Sequence, residues 1–457
     1  MEESDLGRQT CNRPDPSSGP GEWRRRVPGP RGRRDLLKTT AGTALGISLA
    51  GCTDVLGSSE ASEDKLRIGV LAPDPERSPI GASVAVTTRF FGEYVNEALG
   101  GLADHEVDVI VEDTKASPLE ARRAYERLIL DENVDLTIGI SESAVLENLI
   151  EPIADHETVH ITTGATSARV SQLLIEDFDR YKYHFRTMLN DEQLMDLELA
   201  FITEMLPQFG FEPPFELAVL AEGYRWADGL VEGFQQTIPQ IDGFELAFAE
   251  QYDPEIDDFG PLYQEVETSG ADMAWVGMAH TGDEAIIDWQ RTQPSFAFGG
   301  THVPMQWPGY WDMIDGACEY GISMSPGVPG ADITDETQEF VEQYAALTDD
   351  YPVYTGYLTY DALRMYAQAV TAAGSIDVES VIPALEAVEI EATMAQGYTF
   401  GDESAEYPHD PVWEPGDPDR PATVYWQWQD DGSGGGSQEI IWPERYATGT
   451  YQAPPWI

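Results

Sequence analysis

Leu66-Arg67-Ile68-Gly69-Val70-Leu71-Ala72 is followed by a Pro-rich loop through Pro79 and then by residues 83–99 in helical period. A seven-residue apolar run bounded by turn formers reads as a strand, and the longer 3.6-residue period after it reads as a helix. The alternation then repeats: residues 106–112 are a strand, 119–131 an amphipathic helix, 135–140 a strand, 143–154 a helix and 159–162 a strand. Strands joined by helices must run parallel, because only a long crossover returns the chain to the same end of the sheet. The loop Thr163-Gly164-Ala165-Thr166 leaves a strand at its carboxyl end, where open parallel sheets form their ligand crevice.

A second series starts near Asp191. It runs as a helix to about Leu206, a strand at 216–221, a helix after Trp226, a strand at 244–249, a helix from Phe259, a strand at 273–277, a helix at 283–290 and a strand at 295–298, with Gly299-Gly300 after it. Residues 334–374 are strongly helical. The aromatic, alternating stretch 423–441, with a Gly/Ser turn at 432–437, fits a β-hairpin. The fold class is therefore α/β, with two such units in tandem.

The first fifty residues carry a different signal. Arg33-Arg34 precedes a small, apolar stretch at 39–50 and then Gly51-Cys52. The stretch is shorter than the roughly 20 apolar residues needed to span a bilayer, and it reads as an export signal. Twin arginines point to the Tat route. Leu49-Ala50-Gly51-Cys52 is similar to a lipobox, which makes Cys52 the expected lipidation site and residues 52–64 a linker. The expected localisation is export, with anchoring to the outer face of the cell membrane by lipid on Cys52. Removing residues 1–51 takes out six acidic and nine basic side chains and leaves 76 against 17, a net charge of −59.

Of the mature lysines only Lys65, Lys115 and Lys182 remain, and the acids are spread along every segment. This matches whole-surface adaptation to salt, since at molar ionic strength the screening length is about 3 Å and self-repulsion is damped. Such a charge excludes nucleic acid as a partner. A disordered acidic chain is excluded by 42% hydrophobic and 10% aromatic residues. Cys11 would leave with the signal and Cys52 would carry lipid, so Cys318 has no disulfide partner. About 400 mature residues can bury enough surface without one, and they argue for two domains.

The order of elements from about Lys65 onward resembles the type I periplasmic-binding proteins, in particular the branched-chain amino acid, amide and urea binding family. The local motifs are Asp113-Thr114-Lys115-Ala116-Ser117-Pro118, the Ile138-Gly139 turn with Ser141 and Ser143, the segment from Ile161 to Ser167, Arg186-Thr187, the turn from Tyr224 to Gly229, and Tyr360-Asp361-Ala362. The resemblance implies two Rossmann-like lobes with parallel sheets, 65–188 plus 323–398 and 189–322 plus 399–457. A three-segment hinge would join them near 187–191, 323–327 and 397–402. Each lobe would hold part of a small-molecule solute, so that binding selects the closed state.

The resemblance places Ser143 and Thr166, with Ser141 and Ala165 beside them, where hydroxyls and helix-terminal N–H groups hold a carboxylate or amide oxygen. It places Tyr224 and Trp226 at an aromatic wall. His280, Thr301 and His302 follow strand ends of the second unit, and Tyr354 and Tyr357 are further lining candidates. Thr301-His302 stands where amino acid binders present an acid to the ligand's ammonium, which favours a neutral amide or urea over an α-amino acid. A transport receptor of this kind would have an ABC permease and its ATPase subunits as partners and a lipid anchor to the membrane. Ordinary helix caps and core packing are the alternatives for the hydroxyls and aromatics.

His156-Glu157-Thr158-Val159-His160 spells a zinc motif, but its chemistry needs both imidazoles one turn apart on a helix. Here Val159 and His160 enter a strand, which would put the two His about 13 Å apart, so no metal site is expected. No G-x-S-x-G elbow, phosphate loop or Cys-x-x-Cys pair occurs, so neither a nucleophile nor a cofactor site is assembled. A secreted α/β enzyme acting on small amides and a ligand-sensing ectodomain are the competing readings. The enzyme lacks a catalytic constellation, and the ectodomain needs a following membrane span that is not read before Ile457.

Overall fold

The computed structural model describes residues 65–413 and 423–457. The export signal, Cys52 and the linker lie outside the described residues. The first sheet is built from β1 (Leu66–Ala72), β2 (Val107–Asp113), β3 (Leu136–Gly139), β4 (Val159–Thr162) and β5 (His184–Arg186). All its pairings are parallel, in the order β2-β1-β3-β4-β5. β1 is buried along almost its whole length because helices cover both faces, which is why it reads as a continuous apolar run.

The connecting helices are α1 (Pro79–Tyr94, continued by a π-helical turn Val95–Leu99), α2 (Pro118–Leu130), α3 (Ser143–His156), α4 (Ala168–Glu176) and the single turn α5 (Phe178–Tyr181). Pro sits in the first turn of α1 and α2, where its missing N–H costs nothing.

α6 (Asp191–Met205) leads into the second series, with Asn190 and Gln193 forming a reciprocal capping box at its start. There follow β6 (Phe215–Glu222), α7 (Ala227–Thr237), β7 (Phe244–Tyr252), α8 (Gly260–Ser269), β8 (Met273–Met278), α9 (Asp283–Thr292), β9 (Ala297–His302), the short α10 (Tyr310–Met313) and β10 (Ile322–Ser325). Next come α11 (Asp335–Thr348), α12 (Tyr354–Ala373), α13 (Val378–Ala387) and the two-residue strands β11 (Glu389–Ile390) and β12 (Tyr398–Thr399).

The hairpin β13 (Val424–Asp430) and β14 (Gly436–Trp442) then joins the second sheet, whose order is β14-β13-β10-β9-β8-β6-β7. β13–β14 and β10–β13 pair antiparallel, and the other pairings of the sheet are parallel. One core packs the first sheet with α12 and α13; two others cover the faces of the second sheet around Trp289 and Trp428, and around Phe201, Trp275 and Tyr425.

Four expectations are corrected. Residues 299–302 are not a loop: β9 runs through them, because Gly299 and Gly300 let its backbone approach its neighbours, Gly300 at φ +143 with room for no Cβ beside the Val276 carbonyl. The helical stretch 334–374 is two helices, broken at Asp349, which takes a left-handed conformation, and Pro352. Tyr360-Asp361-Ala362 therefore lies inside α12.

The chain also changes sheets later than expected at both downstream crossings. β10 pairs in the second sheet, and Val328, Ala331 and Ile333 pack in its core, so residues 323–333 do not belong with the first sheet. At the other crossing, Phe400 packs in the first core, His409 stacks on Phe185 with ring centroids 3.8 Å apart, and Arg186 N–H donates to the His409 carbonyl.

Candidate functional site

The carboxyl ends of strands in both sheets converge on one cavity. Ser141, Gly164 and Thr166 line it from the first sheet's loops, and Asp191, Leu194, Met195 and Glu198 from the start of α6. Trp226, His280, Thr301, Gln306 and Met324 line it from the second sheet, and Tyr354 from the first turn of α12. Gly139 and Ile140, both with positive φ, swing the chain out of β3 and bring Ser141 to the cavity. A Cβ on Gly139 would lie 2.1 Å from the Leu71 carbonyl oxygen. Gly139→Ala is expected to lower stability by at least about 1–3 kcal/mol from backbone strain alone, read by denaturant unfolding in molar salt.

Glu222, at the end of β6, organises the second wall. Fully buried, it accepts from Trp226 Nε1 (2.6 Å), His280 N (3.0 Å), Thr281 N (3.0 Å) and Thr281 Oγ1 (3.0 Å), and it meets His280 Nδ1 at 2.7 Å. Burial alone would push its carboxyl up, but the hydrogen bonds and charge of His280, with the Trp226 N–H, outweigh burial and hold it below the usual range. His280 is raised in turn: burial opposes its charge, and Glu222, with Glu142 beyond it, more than compensates.

Glu198 accepts from Trp275 Nε1 (3.0 Å) and Thr301 Oγ1 (3.1 Å), and burial pushes it up to about 8. Asp191 accepts from Ala168 N (3.0 Å), and burial raises it to about 6 against the opposing hydrogen bonds of Thr166 and Ala168. Contacts also tie the two walls across the cleft. Gln306 Oε1 accepts from Tyr354 N (3.3 Å), Trp307 Nε1 donates to Asp350 (3.0 Å), and Arg225 Nε pairs with Glu147 Oε1 at 3.3 Å on the rim.

Of the residues expected from sequence, Ser141, Thr166, Trp226, His280, Thr301 and Tyr354 come together on the cavity. Five others do not. Ser143 is buried at the start of α3, its Oγ accepting from Thr166 N at 3.3 Å, so it braces the loop. Ala165 turns its carbonyl to Arg186 Nη1 (3.3 Å). Tyr224 faces outward, 43% exposed, against the edge of His280. His302 is fully buried, bonded to Gly282 O and Met305 N, and Tyr357 packs with Phe340.

Sequence reasoning missed Asp191 and Glu198. Asp191 carried only a helix-start signal, and Glu198 is one acid among many, so neither stood out. Glu198 also corrects the argument from Thr301: an acid does reach the cavity, directly behind that hydroxyl. The zinc-like motif is split as expected, with α3 ending at His156 and His160 in β4 bonded to Thr137.

The periplasmic binding protein family model matches residues 65–411. The chain belongs to the periplasmic binding protein family. The fold of this binding protein is the type I arrangement. A structure from Silicibacter pomeroyi described as a candidate branched-chain amino acid ABC transporter has TM-score 0.73 at 17% identity, covering 86% of this chain and 100% of that one. A leucine binding protein from Thermotoga maritima has TM-score 0.64 at 18% identity, covering 83% and 99%. An ABC transporter solute binding protein from Rhodopseudomonas palustris, in complex with 3,4-dihydroxybenzoic acid, has TM-score 0.67 at 15% identity, covering 86% and 99%. Such identities establish the likeness of fold. Comparison with curated sequences gives no match. By family this chain is a binding protein and not an enzyme.

Proposed function

We propose that this binding protein is the extracellular substrate-binding component of an ABC importer, anchored by lipid on Cys52 after Tat export, that captures a small polar solute by hinge closure and delivers it to a permease and its ATPase subunits. One observation carries the reading: a single cavity at the carboxyl ends of both sheets takes its walls from both, so a bound solute's contacts are complete only when the walls are together. The expected solute classes, branched-chain amino acid, short amide and urea, share an N–H-bearing end. Asp191 and Glu198 supply acceptors for such an end. We take the hinge to comprise the crossing before α6 and the two later ones.

The test begins with the mature protein purified in molar salt, denatured, and its released small molecules identified by mass spectrometry. Rebinding of the recovered solute should contract the protein in small-angle scattering. Trp226→Ala should weaken binding at least tenfold, because a half-buried indole held by Glu222 is the largest rigid surface on the second wall. Recovery of no solute, together with no binding of any small molecule tested, would remove the reading.

A further inference from the structure

We infer that the ligand is an organic ammonium compound without a carboxylate, a primary amine on an apolar body; this rests on the solute-binding reading above. The loops that the family resemblance assigns to a ligand carboxylate are already occupied by the protein's own carboxyl groups. Ser141 Oγ donates to Glu142 Oε1 at 2.9 Å. Asp191 takes the Ala168 N–H at the start of α4 and lies beside the Thr166 hydroxyl, which favours its charged form. The Thr166 N–H is engaged by Ser143 Oγ. A ligand carboxylate placed there would meet two carboxyl groups in the position of its counter-charges.

The rest of the wall points the same way. Among the described residues, no Lys or Arg lines the cavity. Arg186 is buried away from it on Asp410 and the carbonyls of Ala165 and Ser167, and Arg225 is held by Asp228 and Glu147. His280 is tied to Glu222 through Nδ1 and faces Glu142 across the cleft. Glu142 itself is buried with Oε2 unpartnered. In a site of low effective dielectric such a carboxylate repels a ligand anion and attracts a ligand cation. Met188, Leu194, Met195, Leu230 and Met324 supply an apolar wall for the body, and the aromatic rings of Trp226 and Tyr354 favour a cation over an anion.

The charges facing the acids set a pH dependence. Glu198 is surrounded by the neutral Trp275, Thr301 and Tyr425; Asp191 is faced by Arg186 and Glu147; His280 is faced by Glu222 and Glu142. An ammonium guest binds the ionised carboxylates, so its affinity should rise from pH 6 to pH 8 as Asp191 and Glu198 give up protons. Loss of charge from His280 acts in the same direction.

The experiment is calorimetry on the mature protein in molar salt with 3-methylbutylamine, 2-phenylethylamine, leucine, 4-methylpentanoate and 4-methylpentanamide. The expected result is that one of the amines binds at least tenfold tighter than leucine and the amide, that the carboxylate gives no heat, and that amine binding at pH 7 releases protons, seen as dependence on the buffer's ionisation heat. Glu198→Gln and Asp191→Asn should each weaken the amine tenfold or more and reduce proton release while thermal unfolding stays cooperative. Leucine, the amide or the carboxylate binding as tightly as either amine would overturn the inference but leave the solute-binding reading standing, as would recovery of an anionic or zwitterionic native ligand. Absence of any bound or released small molecule would overturn both.

Discussion

Replacement of Asp410 by alanine is expected to lower the free energy of unfolding by about 3–5 kcal/mol. Asp410 and Arg186 are both fully buried, with Arg186 Nε 3.1 Å from Asp410 Oδ1. Asp410 also accepts from Ser171 Oγ (2.6 Å) and Asn190 Nδ2 (2.9 Å), while the guanidinium donates to the carbonyls of Ala165 and Ser167. Truncation would leave the guanidinium charge without its counter-charge in a dry interior, and that uncompensated charge is the source of the loss.

The same contacts join β5, α4, the cap of α6 and the segment that leaves the first sheet, so the loss should be cooperative. Urea unfolding in molar salt measures it. Replacing both partners, Arg186→Met with Asp410→Leu, should recover most of the stability because no unpaired charge remains. A change below about 1 kcal/mol in Asp410→Ala would show that the joint is not closed as the distances indicate.

The strands were legible because parallel strands covered on both faces read as unbroken apolar runs, as β1, β4 and β8 do. Sheet membership was less legible. β10 has an apolar signature compatible with either sheet, and it is placed in the second by pairing with β13, a hundred residues away, which no local pattern encodes. The site was legible to the level of loops: parallel strands aim their carboxyl ends at one crevice, and that rule found Ser141, Thr166 and His280.

Which side chain of a loop faces the crevice depends on its neighbours. Ser143 lies two residues beyond Ser141 and is drawn inward as an acceptor for Thr166 N, while Trp226, two residues beyond Tyr224, is turned inward by Glu222. Glu198 was illegible because an acid in a chain with 82 of them carries no information until the fold buries it.

Acid stability should expose a second buried polar device, the His160–His184 pair in the first sheet. Both rings are fully buried and stacked, His160 Nδ1 lying 2.9 Å from Thr137 Oγ1 and His184 Nε2 3.0 Å from Thr162 Oγ1. Burial pushes His160 down to about 3, and burial, with the charge of Arg186 and the neighbouring His160, pushes His184 well down. A group whose folded value is depressed in this way binds protons in the unfolded chain first. Its contribution is therefore fully present above the unfolded value near 6.5 and is lost as the pH falls from there towards 3.

Each imidazole takes about 1.4 kcal/mol per pH unit through that window, so the pair gives a slope of about 3 kcal/mol per unit. Acid also neutralises the acidic surface and relieves its self-repulsion, which opposes the loss in dilute buffer. Molar salt screens that repulsion to a range of about 3 Å and leaves the histidine effect exposed. Unfolding free energies measured from pH 7 to pH 4 in molar salt should fall steeply in the wild type. In His160→Asn with His184→Asn they should fall by markedly less, whatever the variant's starting stability, since neither asparagine titrates. Equal slopes in the two proteins would assign acid lability to the carboxylates instead.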